Sequence, residues 1–355
     1  MSSAEPATIE PSGSLRLGPW GGAVHLVTVT DLPKGVEPHE AAGLLATRAL
    51  DRGIRVDLTE NGYLILEHDG VCHRFKEEWT TLTHRLARDC TRNKDITSSL
   101  LRSRDVSTAR NVLFEPHEVV RAWGWAQPDL PVVVKPHNAS KGQGVNTGIS
   151  NEAAFRQAFE AVASSHGLVL VEQTLPGEEH RFATVGTSVI AVARRVPMHV
   201  IGDGESSIGQ LIEAKNIERG RRGNPVHKLL QVDDAVHGTL SRHGLTLQHI
   251  PAEGAMTLLR DVSNVSLGGD AVDVTDEVAE QHVSLVTRAA QAIPGLGCAG
   301  FDVMIDGDDA AVLEVNPAPM LSMHHYPWVG TPRDAYSEVL NAMFPTSSPS
   351  SHRRR

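Results

Sequence analysis

The stretch Phe301-Asp-Val-Met-Ile-Asp-Gly-Asp-Asp-Ala-Ala-Val-Leu-Glu-Val-Asn316 holds two short β-type runs around the turn Asp306-Gly307-Asp308-Asp309. This pattern predicts paired strands over residues 301–305 and 311–315. Side chains alternate along a strand, so Glu314 and Asn316 share a face, and Asp302 on the preceding strand can face them. Two carboxylates and an amide form an oxygen-only ligand set that suits Mg2+, with phosphate oxygens completing its shell. The same residues would also serve as solvent-facing polar groups of an edge hairpin, so the rest of the chain has to decide between the two readings.

A second cluster lies upstream. The run Val132-Val-Val134 reads as a buried strand and leads into Lys135-Pro-His-Asn-Ala-Ser-Lys-Gly-Gln-Gly-Val145. Gly142 and Gly144 would let backbone N–H groups come close to a phosphate chain. The spacing is not that of a P-loop. Taken alone, the loop could equally be a plain turn. A third cluster is basic: Arg181, Arg194, Arg195 and Arg260, with Arg219, Arg221, Arg222 and Lys228. Arg260 runs into Asp261-Val-Ser-Asn-Val-Ser266-Leu-Gly268-Gly269, where forked N–H donors and free amides can hold carboxylate or phosphoryl oxygens. Residues 219–222 read as a solvated loop. Gly295-Leu-Gly297-Cys-Ala-Gly300 matches a dinucleotide fingerprint, but here it would follow a helix and open a strand, the reverse of what that fingerprint needs.

Around these clusters the periodicities are clear. Phe155, Ala158, Phe159 and Val162 fall on one helical face after the cap candidates Ser150 and Asn151. Val278, Val283, Val286, Ala290 and Ile293 mark a second helix, ended by Pro294-Gly295. Residues 168–171 read as a strand and 182–196 as a hairpin. Toward the N-terminus a strand over 23–29, a helix over 39–50 stopped by Gly53, and strands over 54–58 and 63–66 around Asn61-Gly62 form a small α/β unit. Residues 76–126 read as mostly helical. Residues 1–22 read as a flexible arm and 346–355 as a disordered tail, with no internal repeat.

Composition narrows the function classes. The 355 residues carry 33 Lys and Arg against 43 Asp and Glu, a net charge of −10, which disfavours a generic nucleic-acid or polybasic membrane-surface binder. Three scattered cysteines give neither a disulfide framework nor a cysteine-rich zinc site. No apolar run approaches the ~20 residues of a membrane span, and no basic-then-apolar leader is present. A cytoplasmic setting is expected, with homodimers the commonest assembly.

In order along the chain, Asn93-Lys94, the 132–136 strand with its loop, Val-Glu-Gln-Thr-Leu-Pro-Gly-Glu-Glu-His-Arg over 171–181, Ala-Arg-Arg-Val-Pro-Met-His-Val-Ile-Gly-Asp-Gly over 193–204, the 259–270 segment, Phe301-Asp302 and the 313–327 segment resemble the ATP-grasp superfamily. The likeness is to the ATP-grasp portions of bifunctional glutathione synthetases and of cyanophycin synthetases, and it spans roughly residues 93–345. It implies an α/β fold of two α+β lobes around ATP, preceded by a reduced pre-ATP-grasp region over 23–92. It further implies Lys94, Lys135, Gly142 and Gly144 at the ATP phosphates, Glu172, Gln173 and Leu175 at the adenine, and Glu179 at the ribose. Asp302, Glu314 and Asn316 would hold two Mg2+ ions (or Mn2+). Arg260 with Ser266, Gly268 and Gly269 would stabilise the tetrahedral intermediate, leaving Arg181, Arg194 and Arg195 toward substrate. The activity implied is ligation of a carboxylate to an amine through an acyl phosphate, both partners being amino acids or small peptides. The alternatives are a ligase acting on γ-glutamyl-cysteine, a phosphotransferase, and a nucleotide-binding protein without ligase activity. As it stands the chain carries neither the amino-terminal ligase module of the bifunctional enzymes nor the carboxyl-terminal module of cyanophycin synthetases, so it would receive a finished carboxylate substrate. His324 and His325 read as structural, Met320 and Met323 as packing, and Trp123, Trp125 and Trp328 as core or lobe-contact residues.

Overall fold

The computed structural model describes residues 15–17, 23–25, 27–28, 40–138 and 143–345. Three sheets carry the architecture. The large one is antiparallel throughout, in the order Asp270–Asp273, Ser188–Val196, Glu178–Val185, Cys298–Asp306, Asp309–Asn316. The helix Glu280–Ala292 covers one of its faces, setting Leu285, Val286 and Ala289 against Phe182, Val192, Phe301 and Val303. The helical spacing of the Val278–Ile293 apolar positions and the period-2 pattern of the hairpins are thus two halves of one core.

The second sheet is four-stranded, ordered Asn146–Ile149, Val132–Pro136, Val169–Gln173, Asn111–Phe114. The helix Glu152–His166 packs on it through Phe155, Phe159 and Val162, and the Asn151 side chain caps that helix by accepting from the Ala154 N–H at 3.0 Å. The strand Asn111–Phe114 corrects the mostly helical reading of residues 76–126. Four residues are too short for their periodicity to separate strand from helix, and pairing with Val169–Gln173 decides it. The strand Val71–Lys76 was likewise outside the sequence reading.

The third sheet orders Val27–Thr28, Arg55–Leu58, Leu64–His68, Val71–Lys76 and Trp79–Thr80, with the helix Ala41–Asp51 packed on it. Its core is continuous with the large sheet: Leu45, Leu64 and Phe75 cluster with Ala183, Ala191, Cys298 and Tyr336. Thr83 locks the junction, accepting from the Gly297 and Cys298 amides and donating to the Cys298 carbonyl. A Cβ on Gly297 would lie 2.1 Å from the Leu82 carbonyl oxygen. The glycines of the rejected fingerprint therefore serve close packing, after a helix and before a strand, as that rejection requires.

Between the second and third of the large sheet's segments in sequence, residues 197–260 fold as an excursion. The paired strands His199–Ile201 and Met256–Leu258 and the helices Ile208–Arg222 and Asp234–Arg242 share a small core of Met198, Ile208, Val236 and Leu240. The strand Leu15–Leu17, paired with Ala23–His25, falls inside the segment read as an arm, and the 346–355 tail lies outside the described residues. Among the described residues no helix is long and apolar enough to cross a membrane, and all three cysteines are free.

Candidate active site

Strand register brings the carboxyl-terminal cluster together. Asp302 stands opposite Glu314 and Gly300 opposite Asn316, because a bulge at Leu313 shifts the register by one between Val303 and Asp302. Asp302 is 5% exposed and fully engaged. Arg181 grips it with both prongs, Nε to Oδ1 at 2.5 Å and a terminal N–H to Oδ2 at 3.0 Å. Arg195 adds a bond to Oδ1 at 3.2 Å, and the Asn316 amide donates to Oδ2 at 3.1 Å. Burial works against the charged form of Asp302, but the two guanidinia outweigh it and hold its pKa below the ordinary carboxylate value. Glu179 accepts from the same Arg195 terminal nitrogen at 2.7 Å. Burial pushes its pKa up to about 7, with Arg195 pulling down and Asp302 pushing up. Glu314, more accessible than Asp302 at 35% side-chain exposure, meets Lys94 at 3.0 Å.

Lys135 and Glu172 form a buried pair in the four-stranded sheet, Nζ to Oε1 at 2.5 Å. Asn111 donates to the other Glu172 oxygen at 3.4 Å and to Ser98 at 2.8 Å. Asn111 and Ser98 were not singled out in the sequence, where an isolated Asn carries no signal without its strand partner. Gln173 ends the strand, and Leu175 lies in the 174–177 connection from the four-stranded to the large sheet. Gly177 makes that crossing possible, with φ +98° and a Cβ that would lie 2.1 Å from the Ile305 carbonyl oxygen. Gly144 has φ +68° and rests on Pro136. Gly142 lies outside the described residues.

The basic cluster divides by strand parity. Arg181 and Arg195 reach Asp302, whereas Arg194 points to the other face of the sheet and pairs with Glu178 at 3.0 Å. A cavity of about 400 Å3 opens on that Arg194 side, lined also by His199, Lys215, Asp270 and Trp328. The solvated-loop reading of residues 219–222 is corrected. They are the last turn of the helix Ile208–Arg222, which starts with a Ser207–Gln210 capping box and ends at Gly223 in the left-handed region. Arg219 is buried, donates to Asp270 at 2.5 Å and to the Gly268 carbonyl at 2.9 Å, and its guanidinium lies 5.4 Å from the Trp328 ring centre. Lys215 holds the second Asp270 oxygen at 2.7 Å.

Arg260 pairs with Asp233 at 2.5 Å, at the foot of the turn that contains Ser266, Gly268 and Gly269. Asn264 accepts from the Ser266 N–H at 2.9 Å, and Gly268 sits at φ +99°. A Cβ on Gly269 would lie 2.7 Å from the Val196 carbonyl oxygen, so this turn must run against the sheet edge without side chains.

His324 is 1% exposed with both ring nitrogens unpartnered in the protein, and burial pulls its pKa down to about 3. The unfolded imidazole takes up a proton near pH 6.5 while the folded one stays neutral. Stability from this group is therefore full above pH 6.5 and is lost as pH falls toward 3. Relative to His324→Leu, the protein is expected to lose about 1.6 kcal/mol between pH 6.5 and 5 in urea titrations at each pH. Parallel pH dependences in the two proteins would refute the burial argument.

Residues 110–321 match the family described as the ATP-grasp domain. The chain is 32% identical over 315 residues to the cyanophycin synthetase of Trichormus variabilis, covering 85% of this chain and 34% of that protein. It is 31% identical over 267 residues to the bifunctional glutathione biosynthesis protein of Pasteurella multocida, covering 71% of this chain and 35% of that one. The crystal structure of a bifunctional glutathione synthetase from Pasteurella multocida superposes with a TM-score of 0.63 at 27% identity, over 86% of this chain and 43% of the other. The chain spans about a third of the length of the curated relatives it matches.

Proposed function

The chain belongs to the ATP-grasp family, and from that premise we propose that it is an ATP- and Mg2+-dependent, ADP-forming carboxylate–amine ligase acting on amino acids or small peptides. One observation carries the reading. Asp302, Glu314 and Asn316 meet on one face with Lys94 on Glu314, and Arg181 and Arg195 keep Asp302 ionised. An edge hairpin of solvated residues has no use for a carboxylate buried under two guanidinia.

ATP-grasp ligases use ATP and Mg2+ generally. The donor set fits that metal, being two carboxylates and an amide with no sulfur or imidazole, and Glu314 is the member with the most exposed carboxylate. Among the described residues no three His, Cys, Asp or Glu converge, so the amide of Asn316 has to complete the protein's share. Asp302, Glu314 and Asn316 would hold Mg2+, which supplies charge stabilisation at the phosphoryl oxygens.

In this reading the Glu172–Leu175 segment borders the adenine, Glu179 the ribose, and Lys94 and Lys135 the phosphate chain, with Gly144 beside it. The substrate carboxylate attacks the γ-phosphoryl group, giving an acyl phosphate and ADP; the amine then attacks the acyl carbon and phosphate leaves. Arg260 with the Ser266–Gly269 turn would face the developing oxyanion. Arg181 and Arg195 act as counter-ions of Asp302 and Glu179, and Arg194 faces away from both. Two Mg2+ ions, a cytoplasmic setting and a homodimer complete the reading.

The test is ADP release with ATP and Mg2+ over a pairwise matrix of amino acids and γ-glutamyl dipeptides, with product masses read in parallel. ADP only with a particular pair, and a mass equal to the two substrates less water, is the expected result. Nucleotide binding without substrate-dependent ADP in any pair would favour a non-catalytic nucleotide binder.

A further inference from the structure

The strands Val71–Lys76 and Trp79–Thr80 are joined by two residues, Glu77 and Glu78, since Lys76 pairs with Trp79. Both have positive φ, +50° and +69°. A connection of this type is normally made by Asn-Gly or Gly-Gly, because residues with a Cβ are strained in the left-handed region. Strain kept at a defined position calls for a reason. The Glu78 side chain supplies one, because it turns inward and is buried. Its Oε2 accepts from the Leu321 N–H at 3.0 Å and its Oε1 accepts from the Tyr336 hydroxyl at 2.7 Å.

Leu321 closes the segment that starts at Asn316. Within that segment the Pro319 carbonyl accepts from the third Arg181 donor at 2.9 Å, while the other prongs of Arg181 hold Asp302. Met320, between the two anchor points, has φ +55° and is itself strained. A continuous path therefore runs by hydrogen bond from Glu78 to Leu321, along the backbone through Met320 to Pro319, and by hydrogen bonds on to Arg181, Asp302 and Asn316. We propose that Glu78 is a positioning residue for the Asp302–Glu314–Asn316 site. The amino-terminal sheet thus contributes to nucleotide–metal binding without touching either ligand. The inference rests on the ligase reading of that site.

Glycine at position 78 separates positioning from folding, because Glu78→Gly removes the carboxylate and also releases the left-handed strain. Full-length wild type, Glu78→Gly, Glu78→Gln and Tyr336→Phe are titrated with Mg·ADP by calorimetry, with thermal midpoints measured alongside. Glu78→Gly is expected to fold with a lowered midpoint, since relief of strain only partly offsets the acceptor lost to Leu321 and Tyr336, and to bind Mg·ADP about tenfold more weakly, the usual size of losing an outer support of a metal site. Glu78→Gln keeps an acceptor for Leu321 and should bind within about twofold of wild type. If Glu78→Gly does not fold, Tyr336→Phe decides, with binding expected to be about threefold weaker. Wild-type Mg·ADP affinity in a folded Glu78→Gly, or in Tyr336→Phe where the glycine variant is unfolded, overturns the inference. A wild-type chain that binds no Mg·ADP overturns the ligase reading beneath it.

Discussion

Glu314→Gln is expected to lower substrate-dependent ADP formation by about a thousandfold or more while leaving the thermal midpoint nearly unchanged. The substitution keeps the shape of the side chain and removes only its charge, at a position 35% exposed and paired to Lys94. The pair is half-buried, with Lys94 at 11% exposure, and contributes about 1 kcal/mol to folding. A ligand carboxylate opposite a transferring phosphoryl group contributes several kcal/mol to the barrier, and each ~1.4 kcal/mol is a factor of ten in rate. More than about a tenth of wild-type turnover in Glu314→Gln would remove Glu314 from the metal site. Asp302→Ala is a poorer probe. Asp302 is 5% exposed and compensates Arg181 and Arg195, so its loss strands buried charge at a cost of about 3–5 kcal/mol. Inactivity there would report folding as much as chemistry.

The second large effect is on stability. Asp270→Ala is expected to destabilise the protein by about 3–5 kcal/mol, because the Arg219 side chain it faces has 0% exposure and Lys215 shares the same carboxylate. Burial already lowers the pKa of both Lys215 and Arg219, with Asp270 opposing that shift, so removing Asp270 leaves two cations without their partner. A midpoint lower by about 4–7 °C is the corresponding thermal signature. Glu218→Gln is the control: Glu218 pairs with Arg221 and Arg222 at the surface of the same helix, and its loss should leave the midpoint close to wild type. A shift below about 1 kcal/mol for Asp270→Ala would contradict the buried-pair assignment. Because Arg219 also holds the Gly268 carbonyl, the variant tests whether the turn beside Arg260 depends on that anchor.

Much of this molecule is legible along the chain because its determinants are local. Alternation alone places Glu314 and Asn316 on one face; the Asp306–Asp309 turn by itself would set Asp302 opposite Leu313, and it is the bulge at Leu313 that brings Asp302 opposite Glu314. The 3.6-residue spacing of Phe155, Phe159 and Val162 fixes which side of that helix meets the sheet. A helix-before-strand order suffices to dismiss the Gly295–Gly300 fingerprint. Parity along Ser188–Val196 would also have separated Arg194 from Arg195, had the hairpin register been known.

What the tertiary structure alone decided are the partners of charged groups distant in sequence. Nothing in Arg219-Gly-Arg-Arg222 distinguishes a guanidinium buried on Asp270 from its solvated neighbours, since the distinction depends on a strand 51 residues away. Asn111 becomes part of the site only because its strand pairs with Glu172. Glu78 reads as an ordinary turn glutamate until the core shared by the amino-terminal and large sheets places Leu321 and Tyr336 over its carboxylate. Periodicity is written in neighbouring residues and survives without a fold. Desolvation and pairing of a charge depend on what the rest of the chain brings against it, and only the packed molecule specifies that.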